Sequence, residues 1–256
     1  RTKCYLKFKT QYSEDILNGA DPVLKEPLIP VTIDNNGTVK RADLSTEWYS
    51  YEKKNWANAV ILIDESQNSN YQAGDTIPEN AIESYFVWIP RYKYLIFDDG
   101  NYTSLTNTEN AVQTIQVVFE NKDTPVSSGT SVGSWLTHPA FTAFDSNGMW
   151  VGKFEPSRNG GNGDNIRNGD AIQIKPNVSS WRNIQVANAF YTSYDYKRNL
   201  ESHMMKNTEW GAVAYLQHSA YGSQASVRIN NNSDYITGYA ANNEPTCGYT
   251  GTNEEC

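Results

Sequence analysis

Three histidines and three cysteines are all that 256 residues provide, and neither set is spaced like a working site. His138 in Thr-His-Pro, His203 in Ser-His-Met and His218 in Gln-His-Ser lie outside any nucleophile elbow, zincin helix or comparable arrangement. Each is expected to be a locally hydrogen-bonded polar residue rather than a general base. The Cys and His positions match no usual zinc spacing, so neither a metal nor a cofactor is expected. The spaced glycines between Asn159 and Gly169 include no Gly-Lys-Ser or Gly-Lys-Thr and follow no strand-turn-helix pattern, which excludes a phosphate cradle. Runs of Lys or Arg are missing and the formal charge is −8. The counterion release that drives nucleic-acid binding is therefore absent, and no nucleic-acid partner is expected. No stretch approaches the roughly 18–20 apolar residues of a membrane span. The first residues, Arg1-Thr2-Lys3-Cys4, lack the apolar core of a signal peptide, and the last, Glu254-Glu255-Cys256, add no closing element. Both ends are expected to be cuts in a longer polypeptide.

What is plentiful is ring volume. Seven Trp, seventeen Tyr and eight Phe stand in a chain that is only 38% apolar, so the core must be filled largely by aromatics, which suit half-buried strands. Residues 1–64 read as strand and turn. Cys4, Leu6 and Phe8 alternate, and the run Leu28 to Ile33 meets Asp34-Asn35-Asn36-Gly37, whose residues tolerate positive φ and predict a hairpin into Thr38-Val39-Lys40. Trp48–Tyr51 and Trp56–Ile63, separated by Glu52-Lys53-Lys54-Asn55, predict a second hairpin. Residues 65–80 are polar, carry Gly74 and Pro78, and are expected to be a linker or long loop. Beyond them, 85–90, 91–97, 113–119 and 150–154 read as strands, with Pro90 confined to an edge or bend. Residues 157–170, rich in Asn and Gly, are expected to be a mobile surface loop. Two helices follow: one from Ser180 to Tyr191 with Ile184, Ala187 and Tyr191 on one stripe, and one over Thr208 to Gln217 with Trp210, Val213, Ala214 and Leu216 or Gln217 at helical spacing.

Oxygen-donor clusters are weak. Asp98-Asp99-Gly100-Asn101 lacks the periodicity of a calcium loop, and Asp164 with Asp170 reads more readily as a solvated turn than as a cation site. Cys247 and Cys256 bracket a polar, turn-forming octapeptide. They are expected to close a small disulfide loop, which the chain-entropy model values at up to ~3 kcal/mol. Such a bond implies an oxidising compartment; free thiols are the alternative.

Four segments in order carry a resemblance. They are Tyr85-Phe86-Val87-Trp88-Ile89-Pro90, Trp150-Val151-Gly152-Lys153-Phe154-Glu155, Val178-Ser179-Ser180-Trp181-Arg182-Asn183, and Met204 to Ala214 with its Asn207-Thr208-Glu209-Trp210-Gly211 centre. Over about 130 residues this pattern resembles the formylglycine-generating-enzyme-like, or sulfatase-modifying-factor, family, a variant of the C-type lectin fold. The motif wording is also similar to that of surface, pilin-like and phage proteins of Gram-positive gut bacteria, and to retroelement-diversified lectin-fold receptor-binding proteins. The enzymes of the family carry a copper-binding cysteine pair late in the domain. Cys247 and Cys256 do not map onto it, and Lys206 stands where a capping Thr is usual, so the resemblance does not carry catalysis.

The expected fold is thus α+β: a β-rich segment 1–64, then a C-type-lectin-like domain over 81–256, truncated at its end, with two helices on a twisted, mostly antiparallel sheet. Trp88, Trp150, Trp181 and Trp210 are expected to share one core. The expected function is that of a non-catalytic extracellular adhesion or receptor-binding module on a cell surface or virion. It would recognise a glycan or protein receptor through polar aromatic loops, 157–170 and 223–256, with Tyr221, Tyr235, Tyr239 and Tyr249 as contact residues. The alternatives are a self-associating subunit of a pilus-like filament or capsid decoration and, more remotely, a copper-dependent oxidase.

Overall fold

A computed structural model describes residues 21–96, 115–123, 135–161 and 163–223. The expected strand at 2–10, the three cysteines, and Tyr235, Tyr239 and Tyr249 lie outside the described residues.

The first hairpin forms as the sequence predicts. Strand β1 (Ile29–Ile33) pairs antiparallel with β2 (Val39–Arg41), Ile33 opposite Val39. Asp34 closes the turn by accepting from the N–H groups of Asn36 and Thr38 at 2.9 and 2.8 Å, while Gly37 takes a φ of +80°. β3 (Asn58–Leu62) is buried at all five positions. Val60 and Leu62 enter one apolar cluster, and Ala59 and Ile61 enter another. The apolar run Ala59–Leu62 fits a strand covered on both faces, and the buried Asn58 that precedes it is satisfied by Trp56 O and Lys153 Nζ.

β3 then pairs with β4 (Ile82–Pro90), and β4 with β8 (Gly148–Gly152), giving one antiparallel sheet in the order β2-β1-β3-β4-β8. The sheet crosses the expected boundary, so residues 65–80 are not a linker between separate units. They are a tethered loop whose Ile77 is buried in the core beside Val39. Its backbone bonds at Arg41, Gly74 and Ile77 cover the outer edge of β2, which offers no open row of amides for strand addition there. The second hairpin reduces to a single bridge, Ser50 with Asn55, because β3 is taken by β1 and β4.

Pro90 ends β4, and the chain crosses at Arg91 into a second antiparallel sheet. There β5 (Tyr92–Leu95) lies between β6 (Gln116–Phe119) and β7 (Leu136–Thr137). The largest core cluster sits where the two sheets meet and is rich in rings, including Trp48, Tyr51, Trp88, Tyr92, Phe119 and Phe141. A short helix, α1 (Pro139–Thr142), borders it. A small hairpin of β9 (Ser157–Arg158) with β10 (Ile172–Gln173) precedes two longer helices, α2 (Val186–Tyr196) and α3 (Asn207–Gln217). Mixed helix and mostly antiparallel sheet make this an α+β fold, as expected.

The helices differ from expectation in start and in face. α2 begins at Val186, not near Ser180, because residues 180–185 are held by other partners. Trp181 N–H donates to Pro156 O at 2.9 Å, and Asn183 adopts a left-handed φ of +57°. The expected inward stripe through Tyr191 faces out, and Thr192 is the buried residue. α3 buries Glu209, Ala212 and Leu216, leaving Trp210 55% exposed. The four tryptophans therefore do not share a core. Trp88 and Trp150 meet across β4 and β8 with ring centroids 5.4 Å apart; Trp181 is half-buried elsewhere, and Trp210 faces solvent.

Candidate functional site

Residues 159–168 leave the β9–β10 hairpin at a turn in which Gly160 and Gly161 take φ values of +90° and +139°. A segment so poor in apolar side chains has no core of its own, yet it is anchored rather than loose. Asn165 Oδ1 accepts from Gln185 N–H at 2.8 Å and from Asn188 Nδ2 at 2.9 Å. Asn168 N–H donates to Thr192 Oγ1 at 3.0 Å, and Trp181 Nε1 donates to Asp164 O at 2.9 Å. These bonds tie the expected surface loop to the start and inner side of α2. Gly169 completes the seat, since its Cα lies against the backbone of Asp195 and Tyr196.

With its inner side taken up by this loop, α2 turns an apolar face outward. Val186, Phe190, Tyr191 and Tyr194 are all exposed, the two tyrosines by 46% and 47%. A run of exposed rings on one helix marks a surface that meets something else. Tyr191, Tyr194 and Asp195 follow the i, i+3, i+4 spacing of one α2 face, and Arg198, which opens the 3-10 turn Arg198–Leu200 just past the helix end, reaches back to it. The Asp195 carboxylate accepts from Arg167 Nε with one oxygen and from Arg198 Nε, at 3.0 Å, and Nη2 with the other. These bonds, first that from Arg167 and then that from Arg198, hold its pKa down at about 2. The guanidiniums lie over rings in turn, Arg167 4.6 Å from the Tyr191 centroid and Arg198 4.8 Å from that of Tyr194. Two cations and two tyrosines are thus locked around one carboxylate on an exposed helix face.

Other candidates have less to offer. A groove of about 430 Å³ beside β2 is lined by Pro30, Arg41, Leu44 and Tyr71. The Arg41 Nη1 in it already donates to Asn68 O at 2.8 Å and Tyr71 O at 3.0 Å. Asp164 pairs with Arg158 at 2.9 Å, and among the described residues no three His, Cys, Asp or Glu side chains converge as metal ligands.

The three histidines sit at or beside helix ends. His138 caps α1, its Nδ1 accepting from Ala140 N–H at 3.3 Å, and lies among Tyr92, Tyr94, Phe141 and Tyr215. Burial lowers its pKa to about 4. His218 supplies the cap residue of α3. His203 has an oxygen acceptor at each ring nitrogen, Glu201 O at 2.9 Å from Nδ1 and Glu209 Oε1 at 2.8 Å from Nε2. Only the imidazolium can donate to both. The Glu209 bond is the main reason its pKa is raised; burial and Lys206 act the other way. Glu209 in turn is lowered: burial opposes ionisation, but the bonds from His203 and from Lys206 N–H outweigh it. A raised folded-state pKa contributes stability that is complete below the ordinary 6.5 and is lost as pH rises through the folded value. At the acid end the pair weakens as pH falls through the lowered Glu209 value. The urea midpoint of the wild type should therefore exceed that of His203→Gln at pH 5.5–6, with the gap closing towards pH 8.5. A gap independent of pH would show that the imidazolium does not hold α3. His138 acts in the opposite sense, since its lowered pKa removes stability as pH falls from the ordinary 6.5 towards about 4.

Tyr221 is half-buried, its ring 4.6 Å from that of Phe119 at the margin of the main core, away from the α2 face. The expected loop 157–170 does contribute, through Asn165 and Arg167. The residues missed by sequence reasoning are Tyr194, Asp195 and Arg198; their spacing was the available signal, obscured by assigning the helix an inward Tyr191. Comparison with known proteins finds no family model, curated protein or solved structure that matches this chain.

Proposed function

We propose that this chain is a non-catalytic extracellular recognition module, an adhesion or receptor-binding domain of a cell surface or virion, that binds saccharide through α2 and residues 159–168. The observation that carries the reading is the outward pair Tyr191 and Tyr194, each with a guanidinium over its ring. Rings held on a rigid helix present apolar area to the C–H faces of a sugar with little entropy left to lose, and the neighbouring amides and guanidiniums suit its hydroxyls. A C-type-lectin-like arrangement is consistent with two helices beside antiparallel sheets and with the order of the four resembling segments. Because Trp181 and Trp210 stand apart from Trp88 and Trp150, the functional reading rests on the α2 face rather than on a shared indole core.

Truncating a tyrosine at a binding hot spot costs about 2 kcal/mol or more. Tyr191→Ala with Tyr194→Ala should therefore weaken binding on a saccharide array by roughly tenfold or more per effective ring, with the thermal transition of the protein retained. Absence of any saccharide binding by the wild type, or binding unchanged in the double variant, would sink the reading. Capture of a protein receptor that no saccharide displaces would assign the face to protein instead.

A further inference from the structure

We propose that the α2 face selects an acidic saccharide, whose anionic group docks on the outer guanidinium edges of Arg167 and Arg198. The inference rests on the saccharide reading above and specifies its ligand class.

Asp195 engages only Nε of Arg167, and Nε and Nη2 of Arg198. Both terminal nitrogens of Arg167 and Nη1 of Arg198 have no protein acceptor among the described residues, and both side chains remain about half exposed. Two guanidiniums around one carboxylate leave the cluster with a charge of +1. That charge is constant across the physiological range, because Asp195 titrates at about 2 and guanidinium does not lose its proton. Neighbouring cations are matched by carboxylates of their own, Arg158 by Asp164, Lys175 by Glu79, and Lys197 by Glu65 and Glu83. The positive charge offered to a ligand therefore comes from the Arg167–Asp195–Arg198 cluster itself.

Orientation matters as much as charge. Asp195 fixes one edge of each guanidinium while Tyr191 and Tyr194 fix the planes, so the remaining N–H donors are pre-aimed. Such an edge suits the paired oxygens of a carboxylate or the oxygens of a sulfate ester, and a lysine in the same place would supply charge without the fork. Uronic acids and sulfated sugars share this chemistry, and the rings beside the guanidiniums would carry the pyranose.

The test titrates the full chain with an oligogalacturonate and its neutral methyl ester, and in parallel with sulfated and unsulfated dextran oligosaccharides. The wild type is expected to bind at least one acidic form tenfold or more tighter than its neutral counterpart, and to lose that preference as salt is raised. The pair that shows the preference identifies carboxylate or sulfate as the source of the anion. Arg167→Gln with Arg198→Gln should reduce the acidic form to the affinity of the neutral one, while Arg167→Lys with Arg198→Lys should restore part of the preference without full affinity. A melting curve for each variant separates lost binding from lost fold. Equal affinity for acidic and neutral forms would overturn the acidic selection but leave the saccharide reading standing. An acid preference that persists in the folded Gln variant would also overturn it, by placing the anion elsewhere. Failure to bind any of the four probes, together with a blank saccharide array, would remove both.

Discussion

Glu120→Ala is expected to destabilise the protein by about 3–5 kcal/mol, the range for removing one member of a buried ion pair. Glu120 has no exposed side-chain surface. It faces Arg91 Nε at 2.9 Å and Lys93 Nζ at 3.7 Å, and both cations are themselves buried. Thr137 Oγ1 donates to Oε1 of Glu120 at 2.8 Å, so β5, the end of β6 and β7 are drawn to one carboxylate. Arg91 Nη1 also reaches Phe141 O and Ser146 O, at 3.4 and 3.2 Å, tying in the turn after α1. Alanine at 120 would leave two cations in a site with no other carboxylate among their ion pairs. Equilibrium urea unfolding should show the midpoint falling with little change in slope. Replacing all three charged residues with Met, Met and Leu should be much milder, since the penalty arises from unpaired charge rather than from lost attraction. A Glu120→Ala protein within about 1 kcal/mol of wild type would mean that water or rearrangement neutralises the site, contrary to a dry junction between the sheets.

Gly169→Ala is expected to damage fold and site together. A methyl there would stand 2.6 Å from Asp195 C, 2.7 Å from Tyr196 N and 2.8 Å from Asp195 O. All three are backbone atoms of α2, which cannot swing aside as a side-chain tip can, so turn and helix must separate. Overpacking of this kind costs about 1–3 kcal/mol. Separation also pulls Arg167 from Asp195, because only Asn168 lies between Arg167 and the displaced turn. Hydrogen exchange should accelerate in 163–173 and 186–196, and saccharide binding should fall in step. Gly163→Ala is the matched control: its methyl meets only the end of the Asn183 side chain, 3.1 Å away, and should leave both readouts near wild type. Equal behaviour of the two variants would show that α2 does not depend on this close approach.

Local chemistry was legible wherever neighbours in sequence are also neighbours in space. Asp34-Asn35-Asn36-Gly37 produced its hairpin because the Asp34 carboxylate caps the turn two and four residues on. Pro90 ended a strand because it has no N–H to extend a ladder. The scarcity of aliphatics announced a core of rings, whereas the burial of β3 on both faces was not foreseen from its place in an expected hairpin. The 65–80 segment was left open between linker and long loop because polarity and a Gly and Pro are equally compatible with a linker and with a loop pinned to an edge strand. Which of the two forms depends on Val39 and Arg41, far away in sequence.

Helix faces were the other point where local reading failed. In α3 the expected stripe of Trp210, Val213, Ala214 and Leu216 or Gln217 is as regular as the set Glu209, Ala212 and Leu216, and the two share only Leu216. The second set faces inward because Tyr92 Oη donates to Ala212 O at 2.7 Å, and because Glu209 satisfies its carboxylate on His203 and the helix start. In α2 the inward position went to Thr192, whose hydroxyl meets Asn168 and Ile166, so the larger rings were left outside. By itself, then, the sequence determined the first hairpin, the main runs of strand, the presence of two helices in the second half and that rings would dominate the core, since those outcomes depend on backbone sterics and on the volume available for burial. Only the tertiary structure decided which side of each helix is dry, and so which tyrosines and arginines form a surface. Burial is a property of the partner opposite, and that partner comes from a distant part of the chain.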